Sequence, residues 1–294
     1  MRDLFTTLRC DISKNINLKQ ENIEMLKIAV VTPYYNEDDD ILSNCHSSVM
    51  HQTYPCTHIL VADGHPKPQF DEQPKTMHVI LPRTNADMGN TPRAIGGILA
   101  DSYGFDAIAY LDADNWYDAR HIEGLIEAHE ANGQISLVTC KRRFYDLEGC
   151  ELHITEADED ANQHVDTSCW MIFRPAFSLI QAWLMPKMLA TVCDRIFLQK
   201  TAHERFRRFA TDNRTVAFRT KFAGHYKAAG VPVPPEAKSS YLTEDVLKYL
   251  CSSDGVVEVT NCLGFYPRLF GWTMSGRTGG AAAHLRDSPR VLVI

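Results

Sequence analysis

The feature that most constrains this chain is an alternation, through its first half, of short β-branched apolar runs with stretches of helical period. "KIAVVTP" (27 to 33), "HILVADG" (58 to 64), "MHVILPR" (77 to 83) and "FDAIAYLDAD" (105 to 114) read as strands. Between the first two, "ILSNCHSSVMHQ" carries Ile41, Leu42, Cys45 and Val49 at helical spacing. "TPRAIGGILADSYG" (91 to 104) sets Pro92 in a first turn, and "DARHIEGLIEAHEANG" (118 to 133) opens on Asp118, able to cap, and closes on a glycine. Strands that are apolar on both faces and separated by helices demand cover on both sides. The expected class is therefore α/β, with a Rossmann-like, mainly parallel sheet and helices on both faces.

After residue 133 the pattern becomes mixed. "QISLVTCKRRFY" and "ELHIT" flank "DLEG" as a long hairpin, "HVDTSCWMIFR" (164 to 174) reads as a strand, and mostly helix is expected to about 208. "AAGVPVPPEA" (228 to 237) reads as an extended linker into a last piece beginning near Tyr241. The division expected is an extension over 1–26, an α/β half over 27–133, a mixed half of the same domain over 134–240, and a C-terminal extension over 241–294. A hydrophobic content of 45% over 294 residues fills a real core, and a net charge of -7 argues against nucleic acid as partner. Nine cysteines without a CxxC pair suggest neither a disulfide framework nor a zinc knuckle, so a reduced, cytoplasmic setting is expected. The most apolar run, 176 to 193, is broken by Gln181, Pro186 and Lys187; it reads as a buried or interfacial helix that leaves only peripheral membrane contact open.

Open parallel sheets bind ligands beyond the carboxyl ends of their strands, and polar residues gather there: Thr32 to Glu37, Asp63, and Asp112 with Asp114. A single Asp at such a place is usually a cap or a turn former. Two carboxylates at i and i+2 where a strand ends suit a hard cation, Mg²⁺ or Mn²⁺, whose remaining ligands come from a diphosphate.

The order "VVTPYYNE", "HQTYP", "ILVADG", a Gly-Asn-x-Pro-Arg helix start and "YLDADN" resembles the inverting glycosyltransferases of family 2 over roughly residues 27 to 225. The resemblance implies the GT-A fold, a DXD metal motif binding Mn²⁺ or Mg²⁺, and a nucleotide-sugar donor, UDP-sugar favoured. It places Thr32, Pro33, Tyr35 and Glu37 around the nucleotide, Asp63 on the base, Arg93 at the pocket and phosphates, Asp112 at the ribose and Asp114 on the metal. Where family members often carry paired aspartates this chain has Ala62 before Asp63, which keeps guanine, thymine and cytosine donors beside uracil. Asp166, Thr167 and Trp170 match the segment running beside the acceptor. Trp170 reads equally as strand core.

An inverting displacement needs one carboxylate to deprotonate the acceptor hydroxyl. Asp194 stands where small members of the family carry an Asp at a helix start, and it is preferred. Asp245, within "YLTEDVLKYL", echoes the Thr-Glu-Asp motif of processive synthases and is the second choice. His164 and His225 are left outside the metal shell, a lone histidine being more often structural. Two other classes stand beside this reading. One is a sugar-phosphate nucleotidyltransferase, disfavoured because "TPYYNEDDD" is acidic where a basic activation loop belongs. The other is a non-catalytic scaffold on the same fold.

Overall fold

The computed structural model of the chain describes residues 25–154, 164–238 and 244–267. In chain order the elements are β1 (Ile28–Tyr34), α1 (Asp39–Met50), β2 (Cys56–Ala62), β3 (Thr76–Ile80), α2 (Asn90–Ser102), β4 (Ala107–Tyr110), β5 (Trp116–Tyr117), α3 (His121–Ala131), β6 (Leu137–Tyr145), β7 (Glu151–Leu152), β8 (Trp170–Phe173), α4 (Cys193–His203), β9 (Arg208–Arg219), α5 (Ala223–Ala229), α6 (Glu244–Cys251) and α7 (Ser253–Leu263). Among the described residues these nine strands form one sheet in the order β3-β2-β1-β4-β8-β6-β9-β5, with β7 paired to β6.

The first half is the doubly covered parallel sheet that the alternation predicts. β1 pairs in parallel with β2 and β4, and β2 with β3. Every residue of β1 is buried. Its two faces serve two layers. Thr32 shares a hydrogen bond with His58, which meets His46 of α1. Val31 faces α2 so closely that a Cβ on Gly96 would lie 2.4 Å from its Cγ1. Such an approach is open only to glycine.

The second half is mixed. β8 runs antiparallel between β4 and β6, β9 is parallel to β6, and β5 is antiparallel to β9. Four expectations are corrected here. The strand expected over 164–174 shortens to β8, because Asp166 accepts a hydrogen bond from the Ser168 N–H and turns 167–169 into a 3-10 helix. The helix expected after it is two 3-10 segments, Arg174–Leu184 and Lys187–Val192, separated around Pro186, and only Cys193–His203 is α-helical. Phe177, Leu179, Ile180 and Trp183 of the first segment are buried in the core, so it is not an interfacial helix. β9 is a strand that sequence reading did not find. The proline-rich stretch is no outward linker: after α5 the chain returns, and Lys238 bridges to Phe222. The expected extensions over 1–26 and 241–294 fall largely outside the described residues.

Candidate functional site

β4 ends at Tyr110, and the "DADN" residues that follow form a turn in which Asn115 N–H donates to Asp112 O at 3.0 Å. Ser168 straps this turn to β8. Its hydroxyl accepts from the Asp112 N–H at 3.1 Å and from Asn115 Nδ2 at 3.0 Å, while Asn115 Oδ1 accepts from the Arg219 N–H at the end of β9. Three strands thus hold the two aspartates. Sequence reasoning missed Ser168 and Asn115, although Asn115 directly follows the aspartate pair.

Each aspartate has a cationic partner. Arg93 of α2 donates from one nitrogen to Asp112 at 2.7 Å and from another to Asn90 at 2.9 Å, with its guanidinium 4.8 Å from the Trp183 ring centroid. Burial pushes the Asp112 carboxyl up to about 6, helped by Asp166 and Asp114 and opposed by Arg93. Loss of hydration outweighs the attraction of Arg93. Asp114 accepts from Lys221 Nζ at 2.9 Å, and this pairing raises the lysine pKa, with Glu37 adding to the effect. Lys221 follows β9, so without that strand nothing in the sequence marked it.

The nucleotide-side expectations divide. Tyr35 is exposed, its ring edge-on to His65, and its N–H donates to Glu37 at 2.7 Å. Thr32 is fully buried and bonded to His58, so it lies beneath the strand end and does not open onto it. Pro33 packs against the residues before α2, 2.9 Å from a Cβ placed on Gly89. Asp63 is 4% exposed and pins the loop after β3: its carboxylate accepts from Asn85 N at 2.9 Å, from Asn85 Nδ2 at 2.7 Å and from the Ala86 N–H at 3.4 Å. That loop is strained, since Ala86 and Met88 take φ of 52° and 56° ahead of Gly89. Strain of this kind gathers at ligand-binding positions. Asp87 Oδ1, Asn90 Nδ2 and Arg93 Nε are buried beside it with no hydrogen-bond partner among the described residues. Buried polar atoms are seldom left so.

On the acceptor side, Asp166 forms a buried pair with Arg142 at 2.6 Å, and the Arg142 guanidinium lies over Phe144 and Phe218. Thr167 is buried in the 3-10 turn. Trp170 is fully buried, edge-on to Phe197 at 5.1 Å; it belongs to the core and has no face free for a sugar. Asp194, in the first turn of α4, meets His164 Nε2 at 2.6 Å and accepts from the Arg195 N–H. Burial works against its charge, but His164 and Arg195 more than offset this and lower its pKa. Asp245 is exposed at the start of α6, a helix packed on α7 and on 187–192. His225 is bonded to Thr220 and packed on Phe144.

The aspartates suit a divalent cation in one specific sense. Among the described residues no group of three or more His, Cys, Asp or Glu could enclose a metal. Two strand-end carboxylates fit a cation that takes one or two protein oxygens and completes its shell with phosphate and water. Among the described residues no helix is long and apolar enough to cross a membrane.

No curated protein matches the chain. Solved structures of S. aureus TarS share its fold. TarS 1-349 in complex with UDP aligns with a TM-score of 0.52 at 14% identity, over 69% of this chain and 63% of that one. TarS 1-349 in complex with UDP-GlcNAc aligns at 0.55 and 13%, over 81% and 67%. Whole TarS aligns at 0.52 and 13%, over 86% and 46%. The chain thus spans less than two thirds of the first of these and under half of whole TarS. The profile of the family described as glycosyl transferase family 2 matches residues 29–206, more than half of the chain and both aspartates of the turn, so this protein belongs to glycosyltransferase family 2 and has the GT-A fold.

Proposed function

We propose that the protein is an inverting enzyme that moves a sugar from a nucleoside diphosphate donor, a UDP-sugar favoured, to an acceptor hydroxyl, with residues 27–133 serving the donor and 134–240 the acceptor. The observation that carries this reading is the pair of strand-end carboxylates where β4 ends, Asp112 met by Arg93 and Asp114 by Lys221. Asp114 and Asp112 would hold Mn²⁺ or Mg²⁺, whose chemistry there is to neutralise the leaving diphosphate. Lys221 and Arg93 add positive charge on the same side. Asp194 takes the acceptor proton; its lowered pKa keeps it ionised at neutral pH, and His164 fixes its orientation. The bound UDP and UDP-GlcNAc of the TarS structures favour uridine as the base. An odd cysteine count without CxxC pairs supports a reducing, cytoplasmic setting.

Calorimetric titration of UDP, GDP, CDP and dTDP with Mn²⁺ tests the reading. UDP binds best, and EDTA or Asp114→Ala weakens binding by at least about tenfold, because two phosphates beside two carboxylates repel without a cation between them. Equal affinity in all three conditions would remove the metal from the proposal.

A further inference from the structure

Two successive arginines of β6 serve opposite faces of the sheet. Arg142 turns to its buried pair with Asp166 and lies over Phe144 and Phe218. Arg143 bonds Asp118 and lies 5.8 Å from the ring centroid of Tyr145. Its Nε is buried with no hydrogen-bond partner among the described residues. Arg143 stands on the wall of a cleft of about 280 Å³ between β6, β7 and β9, whose other polar lining is Arg214, Glu151 and His153 and whose apolar lining includes Phe144 and Leu152.

Charge and size limit what this cleft can take. It carries two guanidiniums against one carboxylate, with His153 largely exposed beside them. A guanidinium fork matches the two oxygens of a carboxylate or phosphate. Sites that enclose a drug-sized ligand measure ~300–1,000 Å³, so this one suits a single small group and not a nucleotide. The cleft is also close to the aspartate turn. Arg143 is paired with Ala217 of β9, and Ala217 with Trp116 of β5. At about 4.8 Å between neighbouring strands, Arg143 and Trp116 lie about 10 Å apart across the sheet, and Trp116 is the second residue after Asp114. Tyr145 bridges that interval, its ring 4.7 Å from that of Trp116, and the Arg219 guanidinium lies 5.5 Å from the Trp116 ring centroid.

We propose that this cleft is a subsite for a carboxylate or phosphate group of the acceptor, held by Arg143 and Arg214 while the hydroxyl that receives the sugar lies at the aspartate turn. This subsite, which rests on the transfer reading above, makes the acceptor an anionic saccharide. The half-buried Trp116 and Tyr145, between the cleft and the turn, offer ring surface to the stretch of acceptor that joins the two.

The test titrates the full chain calorimetrically with glucose 6-phosphate, glucuronate and glucose. At least one of the two anionic sugars should bind, and glucose should bind far more weakly. Arg143→Gln and Arg214→Gln should each weaken the anionic sugar by about tenfold or more, the scale of a charge-assisted hydrogen bond, while Lys221→Ala keeps it. Should either arginine variant fail to fold, phenylglyoxal labelling of the wild-type chain decides: the anionic sugar should protect Arg143 and Arg214 several-fold and leave the exposed Arg120 as reactive as before. Glucose binding as well as the anionic sugars, or a sugar phosphate lost in Lys221→Ala and kept in Arg143→Gln, would overturn the subsite, the latter by moving the anion to the aspartate turn. UDP that binds with Mn²⁺ while no anionic sugar binds removes the subsite alone. Absence of UDP binding strikes the donor reading instead, and the two arginine variants still decide the anion site.

Discussion

Asp194 and Asp245, first and second choice from the sequence, stand in very different surroundings. Asp194 is bonded to His164, and its carboxyl is held below the usual range by His164 and Arg195 against the effect of burial, whereas Asp245 is exposed at the start of a helix packed on α7 and 187–192. General-base catalysis contributes typically about 10² to 10⁴ in rate, so Asp194→Asn should lower turnover by about that factor with donor affinity unchanged. Asp245→Asn should leave both near wild type, and the reverse pattern in steady-state kinetics would reassign the base. Asp112 supports a second expectation. Its carboxyl titrates at about 6, and a cation needs it ionised, so the Mn²⁺-induced rise in melting temperature should grow between pH 5.5 and 7.5. A shift that is the same at both pH values would place the metal elsewhere. At this scale the acids were legible because strand ends in a parallel sheet collect function. Their partners were not. Lys221, Arg142 and Ser168 reach the site through the mixed half of the sheet, where pairing between distant segments leaves no local period to read.

Among the elements, β1 and α2 were readable because buried parallel strands and a glycine-bearing helix each carry their own pattern. β9 was not, since "RFATDNRTVAFR" interrupts its apolar residues with the polar run Thr211 to Thr215. It is a strand because β6 on one side and β5 on the other satisfy its backbone. The 3-10 segments after β8 were read as helix because their apolar spacing is helical, while Pro186 between them keeps the two from joining into one helix. The seam between β1 and α2 carries a prediction. Gly96→Ala gains up to about 1 kcal/mol of helix propensity. The new Cβ would, however, meet Val31 at 2.4 Å and Val61 at 3.1 Å, and Val31 is a stiff side chain on a strand buried on both faces. Overpacking of this kind costs about 1–3 kcal/mol, so the variant should be destabilised on balance. Urea denaturation checks it, and a midpoint at or above wild type would show that α2 can lift off the sheet without cost.

Across the whole molecule, stability should depend on pH through a buried histidine pair under β1. His46 and His58 stack at 5.1 Å with Nδ1 atoms 2.9 Å apart, and His58 Nε2 meets Thr32 at 2.8 Å. The two facing nitrogens share one proton, so one ring donates and the other accepts; charging the pair sets two donors against each other in a dry layer. Burial lowers both pKa values from 6.5, that of the fully buried His58 furthest, where His46 adds its own repulsion. Below about pH 6.5 the unfolded chain therefore binds protons that the folded chain refuses, and stability present at neutral pH is lost as pH falls. Asp112 acts in the opposite sense: raised to about 6, it takes up a proton on the folded side between about pH 6 and 4. That uptake offsets part of the stability the histidine pair loses over the same range. Unfolding free energies from urea titrations at pH 7.5, 6.5, 5.5 and 4.5 should show this decline, and His58→Gln, which cannot titrate, should flatten it whatever its own stability. A profile equally steep in wild type and His58→Gln would mean that the pair is not what couples this fold to protons.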